Sequence, residues 1–164
     1  MKVKEIMTDQ VHTCRPEDPV SRAARLMLEH ECGILPVVNR AGAPIGVITD
    51  RDICMGIAAD PHDAKSIEVS ELMSSDILAC LPNDDVKDAL QTMKNTKVHR
   101  LPVVDYKGKL VGILSLDDVA VSSKGDGRGD LPLEDILLTY KSISEPFNSR
   151  KFKTETKEHP LLYA

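Results

Sequence analysis

Apolar side chains return every three to four residues from Val20 through Ala23, Ala24 and Met27 to Leu28, the spacing that sets one face of a helix against a core. Two β-rich runs follow, Ile34 to Asn39 and Pro44 to Thr49, and the short Gly-containing connection Arg40-Ala41-Gly42-Ala43 predicts a hairpin between them. A second helix is expected to start at Thr49. Ahead of the first helix the pattern predicts a short strand, Val11 to Cys14, then a Pro and an Asp (Pro16, Asp18) able to cap the helix, with Pro19 suited to the first helical position. A small helical turn sits at the front.

The same pattern occurs twice. Val3 to Ile53 lies over Val69 to Val119 without a gap, and sixteen of the paired positions are identical. They include Cys14/Cys80, Pro16/Pro82, Asp18/Asp84, Val20/Val86, Ala23/Ala89 and Met27/Met93, then Leu35-Pro36-Val37-Val38 over Leu101-Pro102-Val103-Val104, and Gly46/Gly112 and Asp52/Asp118. Identity concentrated at turn and core residue types points to duplication of one structural unit. In the second copy the strand is Ile77 to Cys80, the helix stripe Val86, Ala89, Leu90 and Met93, the hairpin turn Tyr106-Lys107-Gly108-Lys109, and the last helix starts at Ser115. A unit of this size is marginally stable alone.

The expected fold is therefore α/β in the α+β sense: two pseudo-symmetric β-α-β-β-α repeats packed sheet to sheet, with paired clefts. The first repeat spans 1–68, the second 69–122, and 123–164 holds a flexible linker, a short helix and a tail. The Gly-rich run Ser123 to Asp130 reads as the linker. Leu133, Ile136, Leu137 and Tyr140 fit one helical face, able to dock on the module or on a second chain. From Ser144 onward the polar, mixed-charge composition predicts a tail without structure of its own.

Composition narrows the function. With a formal charge of -5 and no basic patch, neither nucleic acid nor an acidic membrane is attracted. Tyr106 is the first aromatic residue in the chain, so the first hundred residues offer single-stranded nucleic acid no stacking platform. The opening Met1-Lys2-Val3-Lys4-Glu5 carries alternating charge where an export signal needs an apolar core. Cys14, Cys32, Cys54 and Cys80 lie scattered in hydrophobic contexts with no metal-binding spacing, which suits free thiols in a cytoplasmic protein. The five histidines form no metal spacing and sit beside no recognisable nucleophile.

The strongest local signal is Gly46-Val47-Ile48-Thr49-Asp50-Arg51-Asp52, echoed by Gly112-Ile113-Leu114-Ser115-Leu116-Asp117-Asp118. A hydroxyl followed three residues later by a carboxylate, where a strand becomes a helix, can close a capping box. The same geometry also presents free amides and a positive dipole end to a phosphate, with an Asp placed to accept from a ribose diol. Both readings are open at this level.

The duplicated unit, with its Leu-Pro-Val-Val strands and the Gly46 to Asp52 and Gly112 to Asp118 segments, resembles a tandem pair of cystathionine β-synthase (CBS) domains, a Bateman module, over residues 1 to about 122. The resemblance implies clefts that bind adenosine-containing ligands such as AMP, ADP, ATP, NAD-type molecules or S-adenosylmethionine, with no cofactor required. By the same resemblance Asp52 and Asp118 hold ribose hydroxyls, while Thr49 and Ser115 lie near ribose or phosphate. The base is then lined by Val11, His12 and Thr13 with Gly33, Ile34 and Leu35, and by Ile77, Leu78 and Ala79 with His99, Arg100 and Leu101. Arg51 beside the first motif, against Asp117 beside the second, predicts that the Thr49 cleft favours the more phosphorylated ligand unless Arg100, Lys97 or His99 compensates. A homodimer and an unidentified effector protein are expected partners, again by resemblance. The leading function is a non-catalytic adenosyl-ligand sensor. The alternative is a structural dimerisation module with empty clefts, and an enzyme ranks third because no nucleophile, metal set or acid/base pair can be named.

Overall fold

The computed structural model describes residues 1–59, 64–123 and 133–145. Helix α1 (Val20–Glu29), the hairpin β1 (Ile34–Val38) and β2 (Pro44–Thr49), and helix α2 (Asp50–Ala59) form the first repeat. The second contains α3 (Val69–Leu72), α4 (Val86–Thr96), the hairpin β3 (Arg100–Val104) and β4 (Leu110–Ser115), and α5 (Leu116–Ser122), after which α6 (Leu133–Ser144) follows. Each hairpin is a separate two-stranded antiparallel sheet. Their registers match residue for residue, Ile34 opposite Thr49 and Arg100 opposite Ser115, with an irregularity after Val37 and after Val103. The turns need Gly42 and Gly108, whose φ values of 82° and 76° suit a residue without a side chain.

The predicted leading strands reduce to one parallel bridge each, Cys14 to Val37 and Cys80 to Val103. The chain on either side is occupied otherwise, because each copy's front turn has crossed to the other copy. Val3 is fully buried among Val86, Leu90, Met93 and Leu101 of the second repeat, and Val69 among Val20, Met27 and Leu35 of the first. The Val3 amide donates to the Asp84 carbonyl at 3.1 Å, and the Val69 amide to that of Asp18 at 2.9 Å. Both small cores therefore depend on residues from the far half of the chain.

Asp18 is not the cap of α1. Its carboxylate accepts from the Arg15 amide at 2.8 Å and pairs with Arg22 at 2.9 Å, closing the turn whose carbonyl receives Val69. Pro19 takes the N-cap position itself, so α1 has no side-chain cap. Asp84 closes the equivalent turn on the Leu81 amide, and the next residue, Asp85, caps α4 by accepting from the Lys87 amide. That bond holds the Asp85 carboxyl below the usual carboxylate range.

The α4 stripe Val86, Ala89, Leu90 and Met93 is buried throughout. In α1, however, Leu28 is 81 % exposed and Ala24 only partly covered. The difference is α6, which packs on α4 and α5 and, among the described residues, has no counterpart over α1. It docks through Ile136 and Thr139, with Ile143 packed against the same cluster and the Ser142 hydroxyl on the Lys94 carbonyl. Of the predicted α6 face only Ile136 is buried; Leu133, Leu137 and Tyr140 are exposed. The predicted linker and tail fall largely outside the described residues. No helix among the described residues is long and apolar enough to cross a membrane.

Candidate functional site

Each hairpin ends on the hydroxyl residue that starts the following helix. The Thr49 amide and hydroxyl both donate to Asp52 Oδ2, at 2.9 and 2.7 Å, and the Asp52 amide donates back to Thr49 Oγ1 at 3.1 Å. Ser115 and Asp118 repeat the arrangement at 2.8, 2.6 and 3.0 Å. Both motifs are thus complete capping boxes. One carboxylate oxygen is consumed in each, and the other makes none of these bonds.

Two cavities open where the repeats meet. The larger, about 600 Å³, runs from Ile34 of β1 and Val47 and Thr49 of β2 to Asp76, Ile77 and Leu78, the α4–β3 segment (Thr96 and Val98 through Pro102) and Ile113 of β4. The smaller, about 300 Å³, joins Ser115 and Asp118 to Thr8, Gln10, Val11 and His12, to His30, Cys32, Ile34 and Pro36, and to Arg100 and Ile113. Both volumes fall in the range of small-molecule sites. Each cavity sets the hydroxyl residue of one repeat against the leading segment of the other. The exchanged front turns cause this pairing, since the chain leaving them runs beside the opposite hairpin, with Thr8 bridging Ile113 and Ser74 bridging Val47.

Of the predicted site residues, Ile34, Thr49, Ile77, Leu78, His99, Arg100 and Leu101 line the larger cavity, and Val11, His12, Ile34, Arg100, Ser115 and Asp118 the smaller. Thr13, Gly33, Leu35, Arg51, Asp52 and Ala79 lie on neither wall, Leu35 because it is fully buried in the first core. Asp52 stands one hydrogen bond behind Thr49. Arg51 is exposed on the first turn of α2, so the cation expected to face the Thr49 cleft does not do so, and the predicted phosphate preference loses its basis. Arg100 supplies the charge instead.

The larger cavity is mostly aliphatic, and its Leu78 and Val98 are exposed, as suits a flat apolar group. The smaller is more polar, and in it the His12 and His30 rings stack with centroids 3.3 Å apart and planes within 6°. Sequence reasoning missed Val47 and Ile113, although each stands two residues before a predicted hydroxyl and so shares its strand face. It also missed Thr8 and Gln10, which the crossing of the front turns brings in, and His30 and Cys32, which with their counterparts Thr96 and Val98 lie just before the first strand of each hairpin. Among the described residues no group of three or more His, Cys, Asp or Glu side chains could hold a metal ion.

The CBS domain model matches residues 3–59 and 69–124. The chain belongs to the CBS domain family. A CBS domain-containing protein of Bacillus subtilis, YhcV, is 42 % identical over 120 residues, covering 73 % of this chain and 84 % of that one. The inosine-5'-monophosphate dehydrogenase of Methanocaldococcus jannaschii is 30 % identical over 118 residues, 72 % of this chain but 23 % of the enzyme. Among solved structures, CBSX2 in complex with AMP is similar to this chain with a TM-score of 0.66 and 27 % identity, over 74 % of this chain and 94 % of that one; CBSX2 is a CBS-pair protein of Arabidopsis thaliana. A CBS domain pair in complex with 5'-methylthioadenosine and S-adenosyl-L-methionine matches with a TM-score of 0.66 and 25 % identity, over the same shares. The two small sheets and paired repeats seen here are thus the architecture of CBS pairs.

Proposed function

We propose that this CBS pair is a non-catalytic regulatory module that takes an adenosine-containing ligand at the seam between its repeats and signals through a change in how they pack. The carrying observation is the pair of cavities, each with a capped hydroxyl at one end and residues of the opposite repeat at the other. A ligand lying there touches both halves, so it can bias their relative packing by its differential affinity for the two arrangements. The purine would lie against aliphatic side chains such as Ile77 and Leu78. The sugar and phosphate would lie toward the helix start, where amides and the helix dipole favour an anion. Support comes from the related pairs that hold AMP, 5'-methylthioadenosine and S-adenosylmethionine. AMP, ADP, ATP, NAD-type molecules and S-adenosylmethionine belong to one ligand class by their shared adenosine. A cytoplasmic homodimer read by an effector protein completes the proposal.

One observation favours the competing reading of a structural dimerisation module: both capping boxes are satisfied without a ligand. Thermal unfolding separates the two. A ligand at a hundred times its Kd adds about 2.7 kcal/mol, which for a chain of this size raises Tm by roughly 5–10 °C. Sensor function predicts such shifts with AMP, ATP or S-adenosylmethionine, reduced in Asp52→Ala and Asp118→Ala variants that remain folded. Absence of a shift with every adenosyl compound supports the structural module.

A further inference from the structure

Helix α6 lies beyond the residues that the CBS domain model matches, yet it reaches one wall of the larger cavity. That wall is the segment joining α4 to β3, where Thr96, Val98, His99 and Arg100 face the cavity. Three contacts tie α6 to this segment and to the end of α4. The Ser142 hydroxyl donates to the Lys94 carbonyl at 3.4 Å, and the Lys97 ammonium donates to the Glu145 carbonyl at 3.2 Å. The Tyr140 ring meets the His99 ring edge-on, with centroids 6.2 Å apart and planes at 70°. Among these contacts His99 alone is also a wall residue. Its counterpart in the first repeat is Gly33, which has no ring to offer, and among the described residues no helix lies over α1. Ring and helix occur together, in the second repeat. The His99 main chain is fixed, because its carbonyl accepts from the Leu116 amide at 2.9 Å at the start of α5. Its ring is exposed and so free to exchange rotamers.

We propose that His99 and Tyr140 couple the larger cavity to α6, so that a ligand seated in the cavity tightens the last turns of that helix. The inference rests on the adenosyl-ligand reading above and names the element that carries its signal out of the two repeats. A ligand against the cavity side of the His99 ring removes the rotamers that swing into that space. The arrangement left is the one that meets Tyr140, so filling the cavity and docking α6 favour the same ring position. Tyr140 lines neither cavity and acts on the ligand only through His99, as a positioning residue. By linkage the effect is reciprocal, and the docked helix strengthens ligand binding by the same factor. One edge-on ring pair limits that factor to roughly two to ten.

The test is amide hydrogen exchange in α6 of the full chain, alone and saturated with AMP, or with ATP or S-adenosylmethionine if calorimetry shows AMP unbound. The ligand should slow exchange between Tyr140 and Ser144 about threefold, within the limit of one ring pair. Tyr140→Phe keeps the ring and should behave as the unaltered protein. Tyr140→Leu, at a position 55 % exposed and therefore tolerant of change, should lose the ligand-dependent slowing. The same variant should bind the ligand about threefold more weakly, by reciprocity. A residue that merely holds α6 in place would alter exchange equally with and without ligand and leave affinity unchanged, and that result would overturn the coupling. Ligand bound without slowing of α6, or slowing that persists in Tyr140→Leu, would also overturn it while leaving nucleotide binding intact. Failure of AMP, ATP and S-adenosylmethionine alike to bind would overturn the adenosyl reading and the coupling with it.

Discussion

Thr49 Oγ1 donates to Asp52 Oδ2 at 2.7 Å and accepts from the Asp52 amide at 3.1 Å, so the two side chains lock each other at the start of α2. The carboxylate that resemblance assigns to a ribose therefore has a structural duty as well. Removing it in Asp52→Ala or Asp118→Ala should cost about 1 kcal/mol as a lost cap, a fall in Tm of roughly 2–4 °C. Asparagine can still accept through its carbonyl oxygen, so Asp52→Asn should keep most of that stability. It cannot make charge-assisted bonds to a diol, and its affinity for AMP should fall roughly fivefold, the difference between a charged and a neutral hydrogen bond. Thermal unfolding and calorimetry on the same preparations check both parts.

Gly46 and Gly112 predict a second asymmetry. A Cβ on Gly46 would stand 2.8 Å from the Ser74 carbonyl oxygen, where the exchanged segment bridges Val47. On Gly112 it would meet Met7 Sδ at 2.6 Å and the Thr8 carbonyl at 3.1 Å. A methionine side chain can swing away, but a hydrogen-bonded backbone cannot. Gly46→Ala should lose about 2–3 kcal/mol and Gly112→Ala about 1 kcal/mol, within the span for overpacked sites. Urea midpoints of the two variants give the comparison, and equal losses would contradict it.

Both hairpins, the α4 stripe and the start of α5 were legible because each is set by local pattern: alternating β-branched residues, a Gly turn, a hydroxyl three residues before an acid. Leu28 was misjudged for a different reason. Its periodicity is that of a buried residue, but among the described residues no helix lies over α1 to cover it. The site was half legible. Thr49, Ser115 and Asp118 follow from the repeat, and His99 and Arg100 from resemblance, but Thr8 and Gln10 reach the smaller cavity through the exchange of front turns. No local pattern encodes that exchange, since Val3 and Val69 are identical and would fit either core. Arg51 failed because charge beside a motif in sequence does not specify the face of the helix it occupies.

The docking of α6 gives a third prediction. Ile136 is 8 % exposed in the second core, whereas Leu137 beside it is 67 % exposed. Ile136→Ala should destabilise by about 2–3 kcal/mol, near the low end for aliphatic truncation since the site lies at the core's edge. Leu137→Ala should fall within about 0.5 kcal/mol of the unaltered protein. Amide exchange in α6 should quicken in the first variant and not in the second. The opposite order would mean that α6 packs through its Leu133, Leu137 and Tyr140 face instead.

The buried thiols predict a loss of stability in alkaline solution. Burial, reinforced by Asp18, pushes the Cys14 thiol from 9.0 up to about 12. Burial with Asp84 pushes Cys80 up to about 11. Both raised values mean that the folded chain holds these protons more tightly than the unfolded chain does. Their contribution is fully present below pH 9, and it is lost as pH rises through 9 toward 11 and 12, where the unfolded chain gains by ionising first. Stability measured by urea unfolding should fall over that interval, and Cys14→Ala and Cys80→Ala should each flatten the slope, whatever constant loss their smaller side chains bring. Lysine and tyrosine titrate in the same range, so the slope difference between variant and parent is the quantity that decides. Alkylation at pH 8 gives an independent check on the folded protein. Cys54 is exposed and should react first, Cys32 is half-buried and should follow, and Cys14 and Cys80 should stay unmodified until the chain unfolds. Early labelling of Cys14 would show that the first core opens more readily than its packing against Val69 and Val37 implies.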